Sequence, residues 1–181
     1  RYFLPNEVYN YIASHRLYDF MSGEDVAFLR GVQKESLDFL ETDVFLPMVE
    51  RLRSTLSAHR FRHVQSVARS AVFLAKLYDA DVERVRLAAL LHDCAKGREQ
   101  EYFRQLHEKG ILKAEDWMPA PSFHAYLGGF VAREIYGVQD KEVLEAIAAH
   151  TTGSSTMSQT AKIVFLADEI EPYRDFPFVV H

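Results

Sequence analysis

Apolar residues recur at spacings of three and four along most of this chain, and no stretch of any length alternates apolar with polar. The first period gathers side chains on one face of a helix, whereas a half-buried strand needs a period of two. The chain is therefore expected to be all-α. After Pro5, the residues Val8, Tyr11, Ile12 and His15 mark a short helix over 4–15. A second begins at Ser22-Gly23-Glu24-Asp25 and carries Val26, Leu29, Val32 and Leu37. A third is expected over 45–58, with Pro47 near its start, where a missing N–H is harmless. The fourth, over 59–78, has the stripe His63, Val67, Ala71 and Leu74. Asp81 is placed to cap a helix over 82–91, Gly97 breaks the chain, and a polar helix over 99–109 stops at Gly110. Ser122, Asp140 and Ser158 are the expected caps of helices over 123–136, 141–150 and 159–171, the last ended by Pro172. Gly128-Gly129 leave room for another backbone to approach.

On these helices, residues able to bind metal fall where apolar ones are expected. His63 lies on a buried stripe, and Asp168 shares a face with Ala161, Val164 and Phe165. His92-Asp93 follow an apolar run that closes at Leu91; His124 falls in a first helical turn, and His150 shares a face with Val143 and Ile147. One such residue is usually a satisfied core group, and His92-Asp93 alone reads equally as a helix end with Asp93 free to cap the next element. Six in one small helical domain are hard to satisfy separately, because a polar group in an apolar wall needs a partner to offset its desolvation. A metal ion takes neutral imidazole nitrogen and ionised carboxylate oxygen together, and facing helices are where bundles build such sites. His15, His59, His107 and His181 sit on polar or terminal stretches and read as solvated.

The 181 residues suit one domain, or one domain with an appendage. A net charge of −5 without a basic block argues against duplex nucleic acid or an anionic membrane as partner. The single cysteine, Cys94, excludes a disulfide framework and fits a reducing compartment. With no signal-peptide pattern at Arg1-Tyr2-Phe3-Leu4 and no apolar run long enough for a bilayer, a cytoplasmic protein is expected.

The ordered pattern of His63, His92-Asp93, His124, His150 and Asp168 on helices resembles the HD-domain metal-dependent phosphohydrolases. LLHDCAK over 90–96 and AAHTTGSSTMSQTAKIVFLADEIEPYRDFP over 148–177 look like the YqeK-type family of symmetrical diadenosine-tetraphosphate hydrolases. HRFRHVQSVA around His63 is similar to that family's opening motif. The resemblance runs from about 56 to 177. PSFHAYLGGF around His124 keeps the histidine and the glycines but departs from the usual neighbours, and family members continue beyond the equivalent of His181. The resemblance implies an iron ion held by His63, His92, Asp93 and Asp168. It implies phosphate contacts from Lys96, His124, His150, Thr151 and Arg174, and in two-metal relatives residues placed like His124 and His150 hold a second ion. Asp93 and Lys96 would be the catalytic pair, Asp93 orienting or deprotonating water and Lys96 setting a charge on a phosphate. As plain residues, Lys96 also reads as a surface lysine at a helix end, Arg174 as a solvated arginine, and Thr151 and Thr152 as loop caps.

The expected substrate is a small-molecule nucleotide, diadenosine tetraphosphate cleaved to two ADP. Other nucleoside di- or triphosphates, cyclic nucleotides, or a nucleotide-binding regulatory module are the alternatives. RYFLPNEVYNYIASHRLY over 1–18 resembles the closing segment of bacterial nicotinate-nucleotide adenylyltransferases, so 1–40 is read as a lead-in and 41–181 as the hydrolase domain. A covalent link to an upstream adenylyltransferase domain and a homo-oligomer are the protein partners left open. One tightly held ion is expected, with His124 and His150 serving phosphates more than a permanent second ion.

Overall fold

The computed structural model describes residues 45–171. The two helices expected before residue 45, the stretch over 1–18 and Arg174 lie outside the described residues. Those described form seven α-helices without a strand: α1 (Leu46–Thr55), α2 (Ala58–Leu77), α3 (Val82–Leu91), α4 (Glu99–Glu108), α5 (Phe123–Glu134), α6 (Lys141–Ala149) and α7 (Gln159–Ile170). A single 3₁₀ turn, Ala114–Asp116, lies between α4 and α5.

Side-chain caps account for the starts of four of the seven described helices. The Asp81, Asp140 and Ser158 side chains accept backbone N–H bonds in the first turns of α3, α6 and α7. Two details differ from expectation. The helix expected over 45–58 ends at Thr55, because Ser57 is extended and its hydroxyl accepts from Arg60 N–H to cap α2. Ser122 does not cap α5 through its side chain. At φ −88° and ψ −2° it is already helical, and its carbonyl accepts from Ala125 N–H at 3.0 Å.

Helix α2 packs on α3 and α7, α3 also meets α6 and α7, and α5 lies on α6 with α4 behind it. Val64, Val67, Ala71, Ala88, Leu90, Leu91, Ile147, Val164 and Ala167 are fully buried at this junction. Each large aliphatic side chain so placed contributes roughly 1.5–3 kcal/mol. Gly128 lets α5 close on its neighbours: a Cβ there would stand 3.0 Å from Ile147 Cγ2 and 3.5 Å from the His92 carbonyl oxygen. After Leu91 the chain does not continue as an α-helix. It tightens into successive turns, Cys94 N–H bonding to Leu91 O and Lys96 N–H to Asp93 O, and Gly97 takes φ +81°. These turns leave His92 and Asp93 facing inward beneath Lys96.

Candidate metal centre

Helices α2, α3, α5, α6 and α7 each bring a polar side chain to one interior point. His63, His92, Asp93, His124, His150 and Asp168 are all buried, and His92 is fully so. Asp93 stands in the middle. Its Oδ2 lies 3.7 Å from His63 Nε2 and 3.6 Å from His92 Nε2; its Oδ1 lies 3.3 Å from His124 Nε2 and 3.6 Å from His150 Nε2. Asp168 Oδ1 adds contacts of 3.1 Å to His63 Nε2 and 3.8 Å to His92 Nε2.

What lies behind each ring decides what its inner nitrogen can do. His92 Nδ1 donates to the Ala89 carbonyl and His150 Nδ1 to the Ile147 carbonyl, both at 2.7 Å. A carbonyl accepts only, so the proton sits on Nδ1 and the Nε2 lone pair faces the centre. His63 Nδ1 is backed by Glu171 Oε1 at 3.0 Å. Two groups contend for His124 Nδ1: the Pro121 carbonyl at 2.8 Å, which needs an N–H, and Lys96 Nζ at 2.9 Å, which needs a lone pair. His124 Nε2 is thus a ligand if Pro121 takes the Nδ1 proton and a donor if Lys96 takes the Nδ1 lone pair.

The donor set fits a divalent transition metal. His63 Nε2 and His92 Nε2 are 3.3 Å apart, as are His124 Nε2 and His150 Nε2. Ligand atoms about 2.1 Å from a shared ion stand about 3.0–3.4 Å from one another. With the carbonyl-backed tautomers, the His124–His150 contact sets two lone pairs face to face, an arrangement that a cation between them relieves. His63-His92-Asp93, His92-His150-Asp168 and Asp93-His124-His150 each gather three donor atoms closely enough for one ion.

Burial and neighbouring charges set the protonation of each group in the centre differently. Burial pulls the His63 pKa down, but hydrogen bonds to Asp168 and Glu171 outweigh it and raise the value to about 9. His92 is depressed to about 4 because burial outweighs the pull of Asp93 and Asp168. Burial also works against the Asp93 carboxylate, but His92, His124 and His150 hold its pKa well below the ordinary range. A His63 imidazolium therefore balances part of the carboxylate charge of Asp168 and Glu171. The Lys96 ammonium is half-buried, and its pKa is lowered chiefly by desolvation. Thr151 Oγ1 lies 3.1 Å from His150 Nε2 and 3.3 Å from His124 Nε2.

All the sequence-derived candidates within the described residues, including Lys96 and Thr151, thus gather here. His59 is exposed, as expected of a solvated residue. His107 is exposed but also donates from Nδ1 to the Leu112 carbonyl at 2.9 Å, which ties the end of α4 to the next loop. Sequence reasoning missed Arg60, whose Nη1 lies 2.8 Å from Asp93 Oδ2, and the buried Glu171. The signal was present: Arg60 stands three residues before His63 and Glu171 three after Asp168, spacings that share a helix face. No helix among the described residues is long and apolar enough to cross a membrane.

Helices that turn four imidazoles and two carboxylates onto one buried point define a metal-centred helical domain. Residues 60–173 match the HD domain family. A symmetrical bis(5'-nucleosyl)-tetraphosphatase of Halalkalibacterium halodurans is 41% identical over 136 residues, 72% of this chain and 71% of that protein. A crystal structure described as a predicted HD superfamily hydrolase involved in NAD metabolism, from Clostridium acetobutylicum, superposes with a TM-score of 0.63 at 31% identity, covering 75% of this chain and 72% of that one. A probable nicotinate-nucleotide adenylyltransferase/Ap4A hydrolase of Mycoplasma genitalium is 29% identical over 138 residues, 76% of this chain and 39% of that protein. The chain belongs to the HD-domain family, in the branch of the symmetrical bis(5'-nucleosyl)-tetraphosphatases.

Proposed function

We propose that this chain hydrolyses diadenosine tetraphosphate symmetrically, giving two ADP, at the centre built around Asp93. The observation that carries the reading is the division of Asp93, one oxygen facing His63 and His92 and the other facing His124 and His150. In this reading His63, His92, Asp93 and Asp168 hold one ion tightly, and iron is the metal proposed. The Asp93-His124-His150 side is the exchangeable half, serving a substrate phosphate more than a permanent second ion. Its hydroxyl neighbour Thr151 and the adjacent ammonium of Lys96 support an anionic guest there.

A divalent metal, when bound, neutralises charge on the phosphoryl oxygens and makes a nearby water more acidic. The chain's own residues do the rest. Asp93 orients the attacking water and takes its proton. Water oxygen attacks the second phosphorus from one end, and the bond from that phosphorus to the central bridging oxygen breaks. The second ADP leaves, and the bridging oxygen keeps the electron pair as an oxygen of its terminal phosphate. Lys96 places its charge on phosphate oxygens as negative charge shifts toward the leaving ADP. His124, while Lys96 holds its Nδ1 lone pair, presents Nε2–H as a donor to the same phosphate. Arg174, outside the described residues, is proposed as a further phosphate fork.

The adenylyltransferase-like stretch over 1–18 supports reading residues 1–40 as a lead-in joined to a hydrolase domain over 41–181, and the Mycoplasma relative joins the two activities by name. A cytoplasmic setting is supported by the lone buried cysteine, and self-association is testable by light scattering. The reading itself is tested by metal analysis of anaerobically purified protein together with product chromatography on a dinucleotide panel. Two ADP from diadenosine tetraphosphate is the expected result. Nucleoside plus polyphosphate, or a linear monophosphate from a cyclic nucleotide, would move the chain to another HD chemistry. Bound nucleotide and metal without turnover would make it a regulatory module.

A further inference from the structure

Three of the four inward-facing histidines rest their outer nitrogen on a backbone carbonyl: His92 on Ala89, His124 on Pro121 and His150 on Ile147. His63 alone rests on a carboxylate, Glu171 Oε1, at 3.0 Å. Glu171 is 3% exposed, so its charge is taken out of water at a cost that the imidazole N–H offsets. It caps the end of α7 one turn beyond Asp168, so one helix end grips both nitrogens of His63: Asp168 Oδ1 at Nε2 and Glu171 Oε1 at Nδ1.

We infer that Glu171 is a positioning residue that acts through His63, fixing its Nδ1–H tautomer and raising its donor strength so that the half-site of His63, His92, Asp93 and Asp168 keeps its metal ion while the other half exchanges. A carbonyl dipole orients an imidazole. A carboxylate also pushes electron density into the ring, and the Nε2 lone pair becomes a stronger ligand. Among the described residues no equivalent carboxylate backs His124 or His150. The two halves share Asp93, and this difference in backing makes them unequal. The inference rests on the proposed metal centre and deepens it by assigning the origin of tight binding.

The test uses the full chain with Fe(II) under anaerobic conditions and Mn(II) as a second probe, comparing wild type with Glu171→Gln and Glu171→Ala. Glutamine keeps an oxygen to accept from His63 Nδ1 but removes the charge. The readouts are metal stoichiometry after dialysis, dissociation constants by competition with a chelator, and thermal unfolding of the metal-free proteins. Glu171→Gln is expected to fold as wild type does and to bind its first ion about 10–100-fold more weakly, with any weaker binding step unchanged. Glu171→Ala should lose more affinity. Adding Glu171→Gln to His63→Ala should cause little further loss of metal affinity, because the carboxylate reaches the ion through that ring. A Glu171→Gln protein binding its first ion within twofold of wild type would overturn the inference and leave the metal centre standing. Equal weakening of both binding steps would also overturn it, by making Glu171 a general support of the bundle. A wild-type protein that keeps no ion at all would remove the metal centre and this inference with it.

Discussion

Asp168 and Lys96 stand on the two sides of Asp93, and their removal should separate metal holding from catalysis. Asp168 Oδ1 lies 3.1 Å from His63 Nε2 inside the half-site proposed to hold the tight ion. Asp168→Ala is expected to abolish hydrolysis and to lower metal occupancy, measured together on one preparation. A buried carboxylate that only paired with His63 would behave differently, since its removal would leave that ring uncompensated and destabilise the metal-free fold while metal stoichiometry held. Full activity in that variant would take Asp168 out of the metal set. Lys96 reaches His124 Nδ1 but makes no contact with His63 or His92 that would hold an ion there. Lys96→Ala should therefore keep normal metal content while kcat/KM falls by roughly 10²-fold, the scale seen when one donor to a developing charge is lost. Equal loss of metal and rate would mean instead that the turns after Asp93 had collapsed.

At the scale of elements, the two glycines in α5 give a comparison that tests how closely it packs. A Cβ on Gly128 would meet the buried Ile147 at 3.0 Å, with the His92 carbonyl and Cys94 Sγ just beyond. A Cβ on Gly129 would meet only the Leu144 carbonyl at 3.4 Å and Ala148 at 3.7 Å, close to ordinary contact. Replacing glycine by alanine in a helix gains up to about 1 kcal/mol, whereas overpacking costs roughly 1–3 kcal/mol. Gly129→Ala is expected to be neutral or stabilising and Gly128→Ala destabilising by about 1 kcal/mol, read as opposite shifts in thermal midpoint. The reverse order would mean that α5 and α6 are not held at this spacing. The close approach at Gly128 was legible in the sequence, as were the cap residues of α3, α6 and α7 and the buried stripe of α2. Less legible was the break at Leu56–Ser57, because a serine inside a helical pattern caps only where tertiary packing turns the chain. Ser122 misled for the opposite reason: the turn before α5 was already wound, so no extended residue remained to cap it. Six inward-facing residues are legible because they recur at the ends or on the apolar faces of five helices. Arg60 and Glu171 were missed because a charged residue at a helix end is ordinary until the fold shows what it faces.

For the whole molecule, the centre is also a store of charge that the fold must balance with or without metal. In the metal-free protein His63 titrates at about 9 and His92 at about 4, against an ordinary 6.5 for both. The raised value means that His63 stabilises the fold fully below pH 6.5 and that this contribution is lost as pH rises through 9. The depressed value means that His92, buried neutral, contributes above pH 6.5, and that this is lost as pH falls toward 4. Each shift of 9 − 6.5 or 6.5 − 4 corresponds to something on the order of 3 kcal/mol. Metal-free protein should therefore be most stable near pH 6.5 and weaken on both sides. A bound ion takes the position of the His63 proton, so proton and metal compete below pH 9 and that competition fades as pH rises. The gap in thermal midpoint between metal-loaded and chelator-treated protein should widen steadily from pH 6.5 to 9. A gap that stays constant or narrows over that range would show that no proton leaves His63 when the metal enters, and would remove His63 from the ligands of the tight ion.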